Sequence, residues 1–394
     1  MRRWLLCSLL LLSSATSTEL AWRTERDLLL MQQEKAAVLR GEESAWSWLS
    51  PLSLGLSLTE SGVLGSYTTR GWAFSISVDQ PLFKGGAIEA TIKLGSLMKE
   101  GAKLSTMQER RALLLQAWQT LFALRKNDLA IAKTKLLLAN ARLDIEKKRE
   151  QYLLGLLDIS FLNQALMTKN SYEATLADQD RIKRELTAQF ASLSSANPDT
   201  IKLPLFTLLP REQFLSQNLA LKASRIEAMQ KKESATIASS RYWPVLSLIG
   251  SYARQEYEDS RPLIVTPHEN YSFGLRLSWP LEWTMSSHAE AARLDYQVAL
   301  SREAIRQRDE ELAWIKVQEG LEAIQKKIAL VREDQAIYAD LLEQTKAQYD
   351  AGRKIADDVT VMANSLESKK IEEQILSLEE QELLMGLYVR MANE

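Results

Sequence analysis

The chain has 394 residues, and its 49 Lys and Arg nearly balance its 51 Asp and Glu, which leaves a formal net charge of −2. Because no long block of one charge sign occurs, the composition favours binding neither to nucleic acid nor to an anionic lipid surface. The only cysteine, Cys7, lies in a segment predicted to be removed, so disulfides and thiolate metal sites are excluded from the mature protein.

Residues 1–17 are predicted to be a secretory signal peptide. Arg2 and Arg3 form a basic start, an apolar run extends from Trp4 to Leu12, and small residues suited to cleavage follow. The apolar run is too short to cross a bilayer as a helix, and no later segment offers about 18 uninterrupted apolar residues.

Residues 18–195 are predicted to form a first structural repeat. It begins with a short helix and continues with a β-hairpin over residues 46–83, where large apolar residues alternate with small or polar ones. A helical hairpin is predicted over residues 86–195, because apolar residues recur there at heptad spacing without an interrupting proline. The two helices of this hairpin are expected to turn back near Gly155.

The rest of the chain is predicted to repeat this order after a connector. Residues 196–211 form the connector, because three prolines there interrupt any helix. Residues 212–394 then form the second repeat, with a helix, a β-hairpin over residues 243–282 and a helical hairpin over residues 285–392. The second helical hairpin is expected to turn near Gly352.

The two repeats also share a short motif. Phe74-Ser-Ile-Ser-Val-Asp-Gln-Pro81-Leu82 closes the first β-hairpin, and Phe273-Gly-Leu-Arg-Leu-Ser-Trp-Pro280-Leu281 closes the second. In both, an alternating strand stops at proline and runs into a long helix. A unit of two strands and two long helices cannot close a barrel alone, so the duplication predicts an oligomeric tube rather than an enzyme.

Tryptophans are concentrated at or near the ends of the predicted strands. This placement is typical of the aromatic girdles of outer-membrane strands, and the strand lengths suit tilted membrane strands. Packing in an ordinary β-core also explains tryptophan in strands. The apolar face could therefore be covered either by lipid or by a protein core. The candidate membrane-interface aromatics are Trp46, Trp48, Trp72, Trp243, Trp279 and Trp283.

The sequence offers no recognisable catalytic, cofactor-binding or metal-binding set of residues. His268 and His288 belong to neither an HExxH pair nor a Ser/His/Asp order, and Gly85-Gly86 lacks the further glycines and the lysine of a phosphate loop. Carboxylates are numerous, but they lie beside Lys and Arg on predicted helix faces, as in solvated helices. We therefore predict no enzymatic activity and no cofactor.

The order of elements and several motifs resemble the TolC-like outer-membrane efflux proteins over roughly residues 45–392. Val78-Asp-Gln-Pro81-Leu-Phe-Lys-Gly85-Gly86 and Leu277-Ser-Trp-Pro280-Leu281 resemble the family's two passages from strand to helix. Gln217-Asn-Leu-Ala-Leu-Lys-Ala-Ser-Arg225 resembles the helix before its third strand. Tyr349-Asp-Ala-Gly352-Arg-Lys-Ile-Ala-Asp-Asp358-Val resembles its periplasmic tip turn.

The resemblance implies a membrane α+β fold, in which the duplicated strand-strand-helix-helix unit forms a trimeric 12-stranded outer-membrane β-barrel continuous with a long periplasmic α-helical barrel. It also implies a homotrimer in the outer membrane of a Gram-negative bacterium, in contact with outer-membrane lipid and extending into the periplasm. Such a protein is a passive channel-tunnel of a tripartite efflux or type I secretion system. Its partners are a periplasmic adaptor protein and an inner-membrane pump of RND, ABC or MFS type.

A periplasmic coiled-coil adaptor, also called a membrane fusion protein, is the alternative from another class, because it too has long helical hairpins. An adaptor needs a lipoyl-like β-domain interrupted by one helical hairpin, whereas this chain has two predicted helical hairpins and strands flanked by tryptophans.

The family's second tip turn carries a tyrosine, a basic residue and an aspartate that keep the periplasmic entrance constricted. The matching residues are Tyr349, Lys354 and Asp358, and the neighbouring Asp357 adds charge. Three copies of these carboxylates around a narrow axis would repel one another and attract cations. A solvated acidic turn is the alternative interpretation.

The first tip turn departs from the family pattern. The aspartate that usually pairs with the gate tyrosine is replaced by Phe161, while Ser160 keeps a hydroxyl group. Asp158 is the candidate replacement for the missing carboxylate. A second acidic position of the family is occupied by Val361, which argues against a double acidic ring.

Overall fold

The computed structural model describes residues 24–63, 67–259, 269–280 and 283–392. The predicted signal peptide lies outside these residues. The described chain is mostly helical and carries one small antiparallel sheet. In chain order the elements are α1 (Thr24–Trp46), β1 (Ser53–Val63), β2 (Tyr67–Lys84), α2 (Ala87–Leu153), α3 (Ile159–Leu193), α4 (Arg211–Gln217), α5 (Leu219–Ser239), β3 (Val245–Asp259), β4 (Glu269–Ser278), α6 (Met285–Asp350) and α7 (Ala356–Tyr388).

The first strand begins later than the sequence predicts. The hairpin was expected from residue 46, but Trp46 is the last residue of α1 and β1 starts at Ser53. Hydrogen bonds from the Ser47 amide to the Ser44 carbonyl and from the Leu49 amide to the Trp46 carbonyl tighten the helix end. Trp46 and Trp48 therefore lie just before the sheet and not in its first strand.

The region after the connector also differs from the prediction. A single helix was expected from residue 212, but α4 already starts at Arg211 and a break at Asn218 separates it from α5. Asn218 has extended backbone angles, and its side-chain oxygen accepts hydrogen bonds from the amides of Ala220 and Leu221. Asparagine is favoured at such N-cap positions because it satisfies amides that have no partner within the helix.

The break between α4 and α5 is tied to the end of the described chain. Asn218 is completely buried and donates a hydrogen bond of 2.8 Å to Glu310, which also pairs with Arg390 at 3.1 Å. The Leu219 amide donates to the Arg390 carbonyl, and Asn218 forms an isolated β-bridge with Met391. Because Glu310 is buried, these two donors are what make its charge tolerable there.

The four strands form one antiparallel sheet in the order β1-β2-β3-β4. Residues opposite one another share a face, so Leu56 and Phe74 lie on one face, and Ser57 and Ala73 lie on the other. An irregularity occurs between Pro81 and Phe83, where proline has no amide to donate. The unpaired edges of β1 and β4 remain open within the described chain.

The chain divides into two compact units. The helical unit consists mainly of Ala112–Leu208 and Lys316–Val389, and the sheet unit consists mainly of Leu29–Arg111 and Leu209–Ile315. The core of the helical unit joins α2, α3 and α7, and burying each large side chain there stabilises it by about 1.5–3 kcal/mol. This core contains Ala117, Trp118, Leu121, Phe122, Phe190, Leu193, Met385 and Val389.

Within the sheet unit, α1 packs very closely against α2. A Cβ atom added at Gly95 would lie 2.5 Å from the backbone nitrogen of Ala45, so only glycine fits there.

Candidate functional site

The two turns that close the helical hairpins have the same backbone. Gly155 and Gly352 have φ angles of 69° and 70°, in the left-handed region that glycine adopts without strain. Each glycine amide bonds to the carbonyl three residues earlier at 2.9 Å, and the next amide bonds to the carbonyl five residues earlier. This is the Schellman arrangement of a helix end. The local glycine signal therefore located both turns correctly.

At the second turn the charged gate candidates lie close together. The Asp358 carboxylate pairs with Lys147 at 3.4 Å and with Lys354 at 3.7 Å. Burial tends to raise the pKa of Asp358, but the two lysines and the backbone amide outweigh it and lower the pKa below its usual range. Asp357 is exposed beside this cluster. A groove of about 360 Å³ is lined by Lys147, Asp357 and Asp358.

Tyr349 stands at the end of α6 with 46% of its surface exposed. Its backbone carbonyl accepts from Gly352. Among the residues the structure describes, no hydrogen bond of its hydroxyl group is formed within one chain. The structure thus brings Lys354 and Asp358 together, but it does not join Tyr349 to them.

The first turn has a different chemistry. Asp158 caps α3, because its carboxylate accepts the Ser160 amide at 2.8 Å, and hydrogen bonds to Ser160 lower the pKa of Asp158. Within the described chain, no ion pair or hydrogen bond connects Asp158 or Ser160 to the gate candidates of the second turn. Most of the surrounding side chains are apolar and exposed, namely Leu153, Leu154, Leu156, Ile159 and Phe161.

Lys147 is a site residue that the sequence analysis missed. It is the last of a series on α2 whose members contact α7: Lys126 pairs with Glu382 at 2.6 Å, and Lys133 pairs with Glu372 at 3.0 Å. The seven-residue spacing of these lysines was the available signal. Between them, the Asn364 side chain donates to the Asn140 side chain at 2.7 Å.

The sheet has one strongly apolar face, which no element of the described chain covers on the edge strands. Leu56 and Leu58 of β1 are each 79% exposed, and Tyr271 and Phe273 of β4 are 88% and 80% exposed. The opposite face carries small and polar residues; Ser251 and Ser272, for example, share a hydrogen bond of 2.8 Å across it. On that face Asp79 and Arg276 form an ion pair.

Most of the six candidate interface aromatics lie at the end of the sheet from which the chain leaves for its helices. Trp46, Trp243, Trp279 and Trp283 are 58% exposed or more, as interface anchors would be before assembly. Trp48 is half-buried. Trp72 differs, because it lies inside β2 and its ring nitrogen donates to Glu256 at 3.2 Å.

Neither a metal site nor a membrane-spanning helix is found in the described part of the chain. No group of three or more His, Cys, Asp or Glu side chains there is arranged to hold a metal ion. Its helices contain no apolar stretch long enough to cross a bilayer.

Solved structures share this arrangement of elements across nearly the whole chain. The outer membrane protein VceC from Vibrio cholerae is 17% identical, with a TM-score of 0.76 over 94% of both chains. The outer membrane channel CmeC from Campylobacter jejuni is 14% identical, with a TM-score of 0.73 over 93% of this chain and 83% of its own. This chain has the fold of the TolC-like outer-membrane factors.

The same fold is found in the open state of the Neisseria gonorrhoeae outer membrane channel MtrE, at 15% identity and a TM-score of 0.63. That alignment covers 92% of this chain and 87% of the MtrE chain. No protein-family model matches the sequence, and no curated protein does so either. The predicted resemblance is therefore confirmed at the level of the outer-membrane-factor fold.

Proposed function

We propose that the protein is a passive channel-tunnel in the outer membrane of a Gram-negative bacterium, where it exports molecules in a tripartite efflux or type I secretion system. The observation that carries this proposal is the apolar face of the sheet, with Leu56, Leu58 and Phe273 about four-fifths exposed in one chain. The shared fold of known outer-membrane channels supports it.

A face of this kind is unfavourable in water. Covering apolar surface is worth about 25 cal/mol per Å², and a soluble chain rarely leaves a contiguous patch of such residues open. Lipid covers the face without further protein, while the small and polar residues opposite suit a water-filled interior. Exposed tryptophans at the strand ends are placed to anchor the sheet at a membrane boundary.

The open edges of the sheet favour a closed homotrimer. β1 and β4 each present unpaired backbone groups, which are costly in a membrane and prone to uncontrolled pairing elsewhere. Pairing β4 of one copy with β1 of the next satisfies both edges. Three copies then supply twelve strands, an even number of the kind that membrane barrels use.

The helical unit has matching edges. Side-chain contacts run from α3 to α2, from α2 to α7 and from α7 to α6, for example Lys183 with Asp128 and Arg332 with Glu373. Apolar side chains on the outer helices stay exposed, including Met167 at 66% and Leu330 at 61%. Neighbouring copies would bury them and continue the helices into an α-helical barrel.

We propose that the periplasmic partners are an adaptor protein and, through it, an inner-membrane pump of RND, ABC or MFS type. The exposed apolar turn around Leu154 and Leu156 offers a surface for such a partner. The alternative that this chain is itself a periplasmic adaptor is not supported by any observation. We propose that the pump, and not this channel, selects the molecules that are exported.

Neighbouring residues on opposite faces of β4 allow a sharp test. We expect Phe273→Arg to abolish membrane insertion, because an arginine facing lipid costs about 2–4 kcal/mol near the bilayer centre. The matched control, Ser272→Arg, faces the other way and is expected to insert and to form a trimer with altered conductance. Native mass spectrometry of the detergent extract and planar-bilayer recordings give the readouts. A wild-type protein recovered as a water-soluble monomer without conductance would refute the proposal.

A further inference from the structure

A groove of about 550 Å³ lies between α5 and α6 in the sheet unit. It lies near the end of the sheet at which β3 begins and β4 ends. Its walls carry Lys232 on α5 and Arg293 on α6, both exposed to solvent. The proposed channel function does not involve this groove.

The charges in the groove are not balanced. Arg293 pairs with Glu290 at 3.3 Å, whereas Lys232 forms no side-chain ion pair or hydrogen bond within the described residues. The neighbouring Lys231 behaves differently, because it pairs with Asp295 at 3.6 Å. Two cations against one carboxylate leave the groove with a positive excess.

The other polar groups of the groove are hydroxyl groups that can donate hydrogen bonds. They belong to Tyr242, Ser286 and Tyr296, whereas the hydroxyl groups of Thr236 and Ser239 already donate to the backbone carbonyls of Lys232 and Thr236. Ser286 lies in the first turn of α6, where backbone amides have no partner within the helix. Several donors and two cations facing one space favour a compact oxyanion, and phosphate oxygens accept such bonds strongly.

The position of the groove beside exposed tryptophans points to a lipid headgroup as the source of such a phosphate group. Tyr242 immediately precedes the exposed Trp243, and Ser286 lies three residues after the exposed Trp283. Exposed tryptophans and tyrosines mark the depth at which lipid headgroups lie. Basic pockets at this depth bind phosphate-bearing headgroups.

We propose that the groove between α5 and α6 is a binding site for a phosphate group, contacted by Lys232 and Arg293 and by the surrounding hydroxyl groups. A phospholipid headgroup and a free phosphate ion share this chemistry. Only the headgroup comes with acyl chains, which would lie along the apolar face of the sheet beside Leu277, a residue that is 70% exposed.

The experiment uses the full-length protein purified in a neutral detergent. Binding is measured by isothermal titration with three probes: dihexanoyl phosphatidylglycerol, inorganic phosphate and uncharged dihexanoylglycerol. Lys232→Ala/Arg293→Ala is compared with wild type and with Lys222→Ala, which removes an exposed lysine of α5 outside the groove.

We expect wild type and Lys222→Ala to bind a phosphate-bearing probe and to ignore dihexanoylglycerol. The double variant should lose about tenfold or more in affinity, because charge-assisted hydrogen bonds from two cations are removed. Saturable binding of the lipid alone identifies a headgroup site. Equal binding of inorganic phosphate identifies a site for a soluble anion.

Undiminished binding to the double variant, or no binding of either phosphate probe to wild type, would overturn the proposal. All the substituted residues are exposed, and the oligomeric state of each variant by native mass spectrometry shows whether it has folded like wild type. Because binding is measured without any conductance, a failure here is distinct from a failure of the proposed channel.

Discussion

The two hairpin turns differ in their side chains far more than in their backbones. Gly155 and Gly352 adopt φ angles one degree apart and close the same pattern of hydrogen bonds. Around the first glycine lie exposed leucines, whereas Arg353, Lys354 and two aspartates follow the second. The two turns therefore share the geometry that reverses the chain but differ in the chemistry of their side chains.

This difference suggests a division of roles between the turns. The apolar turn is suited to contact another protein, because burying leucine side chains is favourable without any specific geometry. The charged turn is suited to act on ions, because carboxylates held near one another create a local field. Each of the following predictions tests one side of the comparison against the other.

The largest effect is expected on ion flow. Asp357→Ala/Asp358→Ala removes two carboxylates from each chain of the proposed trimer and should raise the concentration of a trivalent cation needed to block conductance by about tenfold or more. Planar-bilayer recordings with lanthanum ions measure the block. Asp158→Ala is the matched control at the first turn and should leave the block unchanged. An unaltered block in the double variant would reject the acidic ring.

The next effect tests whether the two backbones are equivalent. Gly155→Ala and Gly352→Ala each place a Cβ atom on a residue in the left-handed region, at a cost of about 1–2 kcal/mol. Added Cβ atoms meet nothing within 4 Å at either site, so only the backbone conformation contributes. Chemical denaturation should give equal losses for the two variants. A much larger loss at one turn would show that its side chains also hold the backbone.

A smaller effect follows from the helix caps. Asp158 caps α3 with its side chain, whereas Ile355 occupies the corresponding position before α7 and makes no side-chain cap. Replacing Ile355 by Asp should stabilise α7 by about 0.5–1 kcal/mol, because an otherwise unpaired amide gains an acceptor. Asp158→Ala should shift stability in the opposite direction. Melting temperatures of both variants measure these shifts, and equal signs would contradict the assignment of the caps.

The smallest effect is the response to acid. The folded protein lowers the pKa of Asp358, so its contribution to stability is present above the ordinary carboxyl pKa of about 4 and is lost as the pH falls through the lower folded value. The melting temperature of Asp358→Asn should therefore fall less between pH 5 and pH 2 than that of wild type, by about one degree. Asp357→Asn is the control at the neighbouring exposed residue. Identical acid profiles for wild type and Asp358→Asn would remove Asp358 from the network.

Much of the fold was predictable because its signals are local. Alternating strands need a period of two, the long helices carry a heptad stripe, and the glycine turns need left-handed residues. These signals fixed the order of the elements and both turns, Gly155 and Gly352. The element boundaries that were predicted wrongly depend on weaker effects. Trp46 continues α1 although tryptophan favours strands, because α1 is held against α2 through Gly95.

The contacts of the gate candidates were less predictable. Lys354 and Asp358 are four residues apart, a spacing that brings side chains together on one helix face, so their pairing follows from the sequence alone. The contact between Lys147 and Asp358 joins residues from different hairpins and depends on how those hairpins pack. The same holds for Asn218, Glu310 and Arg390, whose association requires the helix break at Asn218.

The lysines of α2 also influence the register in which α7 packs along α2. Lys126, Lys133 and Lys147 are separated by whole heptads, but their partners Glu382, Glu372 and Asp358 are not evenly spaced. If α7 slid along α2 by two turns, Lys147 would face Ser365 and Lys126 would face Val389. The apolar stripe alone would tolerate that slip, since a heptad pattern repeats itself. Lys133 would still meet a carboxylate, that of Glu379, but the other two ion pairs would be lost, so the unequal spacing of the carboxylates favours the observed alignment of the two helices.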